Sequence, residues 1–468
     1  MNHQPILLVA SLILSCACWC QPTWAQFSLL KLKPTKLSQL PDTPELSWNL
    51  GPTGMRGWVV GANGDSKASR EILVVSVEAN SPAAGKLRPF DIITGVAGKP
   101  FTSDARRSFG EAIEPAESSN GILKVTRWRS GKSQEIGIKI GKLPGYGRDG
   151  GEKRRKAILQ RSANYVANKM PRTGYRGFFG SFEALFLLST GDRSYQQLIT
   201  HTAQQMAKSI QAAKGKKPPQ LSNWAWSHQG IFLGEYYLAS KDRSVLPALK
   251  ILVDNLVAGQ GHSGGWGHSP AIQGQTLGYG EVNSVGLACF MTMALAKECR
   301  VKVPAEPYER ASKYFARYVG TGSMPYGDHD PGRSYSANGK NGGAAVALML
   351  SGNHEGADFF ARMTGESAAD RERGHTGNYF SYLWGPLAVS LAGDQQLVEF
   401  LKPQQWYYDL ARHWQGGFIT QPWPHKIEGP RGISHYAKKG VSACTPSFGL
   451  TYAAPERKLR IMQKFSKR

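Results

Sequence analysis

Gly261-His262-Ser263-Gly264-Gly265-Trp266-Gly267-His268 opens the stretch that decides the fold. Gly278-Tyr279-Gly280-Glu281-Val282-Asn283 follows, then an apolar run from Val285 to Ala296 that ends near Cys299. Val285, Leu287, Ala288, Phe290, Met291, Met293, Ala294 and Leu295 cover most of a helical circumference. A helix apolar nearly all round lies in a large core or spans a membrane, and this one is too short for a span. The stretch therefore predicts one inner helix of a closed ring, entered from a glycine-rich loop at the mouth of a cavity.

The same unit recurs on both sides of it. Leu187-Leu188-Ser189-Thr190-Gly191-Asp192 ends an apolar helix, as do Tyr237-Leu238-Ala239-Ser240-Lys241-Asp242, Leu348-Met349-Leu350-Ser351-Gly352-Asn353 and Val389-Ser390-Leu391-Ala392-Gly393-Asp394. Ala294-Leu295-Ala296-Lys297-Glu298 is a divergent fifth. A glycine closes a helix in the left-handed conformation and an Asp or Asn caps the next. The spacing fits a helical-hairpin repeat. Outer, amphipathic helices are expected near 152–169, 195–213, 245–258, 306–319, 355–371 and 396–412. Inner, more apolar helices are expected near 180–189, 224–239, 281–298, 340–351, 377–391 and 443–453. This pattern resembles an (α/α)6 toroid, and Gly264-Gly265-Trp266 and Gly416-Gly417-Phe418 resemble loop motifs of terpenoid cyclases and protein prenyltransferases. The same architecture hosts glycan lyases and hydrolases. The resemblance fails at the catalytic motifs of the first two families. No Asp-x-Cys zinc pair occurs, and Asp328-His329-Asp330 runs into Pro331 where a cyclase has a further Asp.

Residues 46–143 carry a different pattern of short β runs and turns. Trp58-Val59-Val60, Ile72 to Val77, Asp91 to Val96, Gly121 to Thr126 and Glu135 to Ile140 have strand length and composition, and Ser130-Gly131 marks a hairpin. Ser103 to Glu114 predicts one helix with Ser103 as its N-cap. Val75-Ser76-Val77-Glu78-Ala79-Asn80-Ser81-Pro82-Ala83-Ala84-Gly85, Asp91-Ile92-Ile93 and Gly98-Lys99-Pro100 resemble a bacterial PDZ domain, with Phe90 where that family more often has Gly. The resemblance implies a carboxylate-binding loop at Gly54-Met55-Arg56-Gly57-Trp58. Arg56, Gly57, Trp58 and Val59 would then hold a protein C-terminal peptide that extends the sheet. Residues 144–151 are a Gly-rich linker, and 152–468 the toroid. The expected fold class is a multidomain chain, a small α+β PDZ-like barrel followed by an all-α toroid of six hairpins. The two together resemble an exported bacterial family that joins such units.

Residues 1–25 are expected to be an export signal, with an apolar Ile6–Ala17 segment and cleavage after Thr23-Trp24-Ala25; Cys16 offers a lipid anchor instead, and 26–45 is a linker. The protein is thus expected to be periplasmic or secreted. Cleavage leaves Cys289, Cys299 and Cys444. The first two sit about 15 Å apart on one helix, beyond the roughly 7 Å that a disulfide spans. The 468 residues carry 57 Lys and Arg against 34 Asp and Glu, a formal charge of +23. The excess lies mostly in the toroid, +17 over 151–468 against +5 over 46–150. A basic body favours an acidic glycan, another anionic ligand or an anionic membrane surface. No Lys/Arg run is interleaved with aromatics, so nucleic acid is not expected.

Polar and aromatic groups gather at the starts of the inner helices: Trp224, Trp226 and His228; Tyr279, Glu281 and Asn283; Asn338 and Asn341; His375, Asn378 and Tyr379. Aromatic walls suit sugar rings, and His or Tyr does acid–base work. His228, His375 and Tyr379 are the candidate catalytic groups; Trp224, Trp226, Tyr279, Glu281, Asn283 and Asn378 are candidate ligand contacts. His262 and His268 lack metal-ligand spacing, so neither metal nor cofactor is expected. Two functions follow: an exported adaptor whose PDZ groove takes a protein tail while the toroid binds an anionic or glycan-like ligand, or a secreted glycan lyase or hydrolase targeted by that groove.

Overall fold

The computed structural model describes residues 47–59, 66–146, 151–170, 177–331, 338–367, 371, 379–422 and 440–463. The expected signal segment, Cys16 and the 26–45 linker lie outside the described residues.

The amino-terminal part is a small antiparallel sheet with one helix. In chain order its elements are β1 (Trp48–Asn49), β2 (Met55–Trp58), β3 (Ile72–Val77), β4 (Ile92–Val96), β5 (Lys99–Pro100), α1 (Ala105–Ser118), β6 (Ile122–Arg129) and β7 (Lys132–Lys139). The sheet order is β1-β2-β3-β4-β6-β7, and β5 pairs with β4. Ser130 and Gly131 both have positive φ, 49° and 82°. A two-residue hairpin needs this to match the strand twist, so β6 and β7 pair along their full length. Asp104, one residue beyond the expected cap, accepts a bond from the Arg106 amide and starts α1.

The strand-addition expectation for Arg56, Gly57 and Trp58 is corrected here. β2 is paired on both edges, Trp48↔Gly57 and Asn49↔Arg56 on one side and β3 on the other. Arg56 is bonded to Ser47, and Trp58 and Val59 are buried. Among the described residues, β2 therefore offers no unpaired edge to an added strand.

The helical part is a ring. Its inner helices are α3 (Gly177–Ser189), α5 (Ser222–Ser240), α7 (Asn283–Glu298), α9 (Asn338–Ser351), α11 (Tyr379–Ala392) and α14 (Gly440–Ala453). Each packs on the next, and α14 returns to α3. Outside them lie α2 (Glu152–Lys169), α4 (Gln196–Ala212), α6 (Leu246–Ala258), α8 (Ala305–Ala316), α10 (His354–Glu366), α12 (Asp394–Leu401) and α13 (Gln405–Ala411). The inner helices touch neighbours on several sides, which is why they are apolar all round. Where two approach closely the sequence supplies glycine. A Cβ on Gly342 would lie 2.6 Å from the Trp384 backbone. The repeated boundaries act as expected at Asp192, Asp242 and Asn353, whose side chains accept bonds from the Ser194, Ser244 and Gly356 amides. The sixth outer helix, expected whole over 396–412, is broken into α12 and α13. Pro403 interrupts it, since proline lacks an N–H and clashes with the preceding turn.

α13 leaves the ring and packs on α1. Arg154 is fully buried there between Glu117 (2.6 Å) and Asp409 (2.8 Å), and Arg412 reaches the same two carboxylates. Burial pushes the Glu117 carboxyl upward, but Arg412 and Arg154 outweigh it and hold its pKa below the usual value. Asn49 bonds to the Leu410 and Arg412 carbonyls and exchanges two bonds with Gln421. The 144–151 stretch therefore does not separate two independent cores. One hydrophobic cluster runs from Trp48 through α1 into the ring.

The carboxy-terminal segment closes one end of the ring. The Arg460–Met462 turn touches α9 and α11. The Glu235 carboxylate of α5 accepts the Arg460 and Ile461 amides at 2.7 and 2.8 Å. The ring is thus sealed at the carboxyl ends of its inner helices; at their amino ends, the segments 171–176, 332–337, 372–378 and 423–439 lie outside the described residues.

Candidate functional site

The amino ends of the inner helices come together because these helices run parallel. Thr292 of α7 donates to the Ser227 carbonyl of α5 at 2.6 Å, and Cys299 sits on Gly234 two turns further down. Groups at helix starts, far apart in sequence, therefore share one rim.

His228 lies on the ring axis. Its imidazole meets Phe178 and Phe182 of α3 (5.1 and 4.7 Å between centroids). It also meets Phe380 and Trp384 of α11, the helix across the ring (6.3 and 6.4 Å). Nδ1 lies 2.9 Å from the Trp224 carbonyl. A carbonyl only accepts, so Nδ1 carries the proton and Nε2 is the bare acceptor. Nε2 is buried and has no hydrogen-bond partner among the described residues. Burial pushes the His228 pKa down to about 4, against the opposing pull of the Trp224 carbonyl, and the ring is neutral at neutral pH.

Above this floor is a second, more open cluster. Trp224 Nε1–H donates to His268 Nδ1 at 2.8 Å. An indole N–H only donates, so the neutral His268 proton sits on Nε2, which faces Tyr326 Oη at 3.5 Å. His268 and Tyr326 are half-buried, and Tyr279, 81% exposed, stands edge-on to both. Burial lowers the His268 pKa. Burial, then Tyr279, raises that of Tyr326, which favours its protonated form.

The expected site residues divide. Trp224 stacks on His228, and Tyr279 stands near them against His268 and Tyr326. Tyr379 is fully buried, its hydroxyl 3.4 Å from the Ala443 carbonyl and its ring against Phe182 and Phe380. Asn283 is spent inside the fold. Its amide donates to the Pro325 and Gly327 carbonyls and its oxygen accepts from Tyr314, which fixes the turn that carries Tyr326. Glu281 is half-buried and accepts from Ser263. Trp226 is half-buried against the core. His375 and Asn378 lie outside the described residues. Asn341 holds the Met324 amide. Asp328 pairs with Arg317.

Tyr326 joins the site without having been singled out in the sequence, and His268 is weighed there only as a metal ligand. His268 and Tyr326 stand on loops and gave no periodic signal.

A family model described as a domain of unknown function, DUF6288, matches residues 155–462, the whole ring and its sealing turn. The chain belongs to the DUF6288 family. No curated protein matches it. Among solved structures, this DUF6288 chain is similar to a family 76 glycoside hydrolase from a bovine Bacteroides thetaiotaomicron strain. That match has 13% identity and a TM-score of 0.44, covering 71% of this chain and 84% of the other. It is also similar to an unsaturated glucuronyl hydrolase from Bacillus sp. GL1, at 12% identity and a TM-score of 0.42, covering 68% of this chain and 100% of the other. The site of the DUF6288 chain is read below from its own residues.

Proposed function

We propose that the amino-terminal end of the ring is a saccharide site and that the protein is a glycan-acting enzyme. The observation that carries this is the directed chain Trp224 Nε1–H to His268 Nδ1, and His268 Nε2–H to Tyr326 Oη, set beside an exposed Tyr279. Aromatic faces stack on the apolar faces of sugar rings. The one-way indole donor orients the whole chain, so Tyr326 accepts from His268 and acts as the proton donor to a bound hydroxyl or glycosidic oxygen. An acidic saccharide suits the basic body. Export through the apolar 6–17 segment belongs to the same reading. The sheet unit serves as a brace for α13.

Activity on acidic and neutral oligosaccharides tests this. New reducing ends accompanied by a new carbon–carbon double bond mark a lyase; reducing ends alone mark a hydrolase. Tyr326→Phe is expected to lower kcat by about 100-fold or more, the usual range for one acid–base group, while Tyr279→Ala raises KM. Unchanged turnover in Tyr326→Phe removes the assigned role, and failure of the wild type to bind any oligosaccharide removes the reading.

A further inference from the structure

Six large hydrophobic side chains are exposed among the described residues, and the four on the ring, Leu221, Ile272, Leu277 and Tyr279, stand on just two loops. One loop is the 213–221 connection from α4 to α5. The other runs from 269 to 280, ahead of α7. The two are joined, since the Leu221 amide donates to Ser269 Oγ at 3.0 Å. Tyr279 already has a place beside His268 and Tyr326. Leu221, Ile272 and Leu277 have no part in that site.

The second loop is a braced platform. Ile272 and Gln275 exchange two backbone bonds of 3.0 Å across Gln273 and Gly274, whose φ values are 51° and 75°. This is the two-residue turn of a tight hairpin. The Ala271 amide ties it to the Gly259 carbonyl at 3.0 Å, and the His262 amide to the Gly274 carbonyl at 2.8 Å. A fixed backbone thus holds Ile272 in water, 62% exposed. Burial of such a side chain is favourable, and an apolar cluster with a polar rim marks an interaction site where scattered single residues do not. Here the rim is basic. Lys208, toward the end of α4, and Lys214, Lys216 and Lys217 of the first loop are exposed. No Asp or Glu occurs from 193 to 234 or from 255 to 280. Glu281, the next acid along the second loop, accepts from Ser263. Apolar side chains inside a basic, acid-free field match an anionic lipid surface, where the apolar groups pass between headgroups and the lysines pair with them. A soluble polyanion would use the lysines and gain little from Ile272 or Leu277. No helix among the described residues is long and apolar enough to cross a membrane, so the contact is with the surface.

We infer that the 213–221 and 269–280 loops dock the protein on an anionic membrane surface. Leu221, Ile272 and Leu277 are the apolar contacts, and Lys214, Lys216 and Lys217 the basic ones. The inference uses none of the groups assigned to saccharide chemistry and stands or falls apart from that reading.

Flotation of the full chain with vesicles tests it, using phosphatidylcholine alone and phosphatidylcholine mixed with phosphatidylglycerol. The wild type is expected to prefer the anionic vesicles. Replacing Lys214, Lys216 and Lys217 together by Gln is expected to cut that affinity by about 100-fold, the effect of three basic residues near such a surface. Ile272→Ser with Leu277→Ser is expected to cut it by about tenfold or more, through the apolar area left in water. Thermal midpoints should not move, because all five side chains are exposed. Lys132→Gln with Lys139→Gln, on the exposed face of β7, is expected to keep the wild-type affinity. An equal loss in that control overturns the location. A wild type without preference for anionic vesicles overturns the inference, as does binding that is the same in every variant, whether it comes through the apolar 6–17 segment or elsewhere. Binding that needs the lysines, survives Ile272→Ser with Leu277→Ser and is displaced by a soluble acidic polysaccharide overturns the choice of a lipid surface.

Discussion

The two ends of the ring bury polar groups on opposite terms. At the sealed end, Glu235 is buried and each of its oxygens has a backbone amide. At the joint with the sheet Arg154 and Arg412 are paired with Glu117 and Asp409, while Glu117 Oε1, Arg154 Nε and Arg412 Nε have no hydrogen-bond partner among the described residues. At the amino ends of the inner helices, His228 Nε2 has no such partner among the described residues. A buried polar group that is satisfied internally is part of the architecture.

If the contrast is right, mutations should separate into those that unfold and those that only disarm. The largest effect is expected at the joint. Arg154→Met leaves two carboxylates sharing Arg412, and breaking a buried charge cluster costs about 3–5 kcal/mol. A chain beginning at 152 should fare worse still, giving an insoluble or molten product; a cooperative melt of that fragment would show that the ring has its own core. Next comes Glu235→Ala, which strands two amides at about 1–3 kcal/mol each and loosens the final turn, readable as faster amide exchange at Arg460 and Ile461. The smallest effect on stability is expected from His228→Leu. It removes an unsatisfied nitrogen together with one hydrogen bond, so denaturant unfolding should move by no more than about 1 kcal/mol while saccharide affinity is lost. A large loss of stability there would erase the distinction between the two ends.

Acidity gives a subtler version of the comparison. Burial pushes the Glu235 pKa up to about 7 from an ordinary 4.5, against its two backbone bonds. Between those values the folded chain holds a proton that the unfolded chain has released. Stability from this group therefore falls as pH rises through that window. His228 behaves oppositely. Its folded pKa of about 4 lies below the ordinary 6.5, so stability is present above 6.5 and is lost as pH falls toward 4. Thermal midpoints at pH 5 and 7 should show the two trends partly cancelling in the wild type. Glu235→Gln should uncover a rise with pH, and His228→Leu a fall. Parallel shifts in both variants would contradict the assignments.

The ring was legible because its signal is local. Apolar residues on all faces of 283–298, and left-handed closures such as Gly191 and Gly352 (φ 68° and 87°), report on one helix at a time. The rim was legible only as a set of helix starts. That Trp224 would reach His268, 44 residues away, and that His268 would face Tyr326, 58 away, depends on rotamers and loop paths that no periodicity encodes. Asn283 shows the converse. It occupies the right place in the sequence, yet two hydrogen bonds commit it to the Pro325–Gly327 turn and a third holds it to Tyr314. The sheet misled for a related reason. Its strand pattern is strong, but the two-residue β1 that closes the edge of β2 is too short to leave a pattern.

The path of the chain has a consequence for how the molecule is made. Asn49 finds its partners at Leu410, Arg412 and Gln421, 361 to 372 residues downstream. Glu235 waits for Arg460 and Ile461, 225 and 226 residues on. Contacts of such long range form late, because the intervening chain must first be ordered. During synthesis the strands of this sheet emerge early and are the last to be finished. Trp48 and the face of α1 that meets Trp406 stay uncovered until nearly the whole polypeptide has appeared, so a chain arrested before α13 is a natural target for chaperones and proteases.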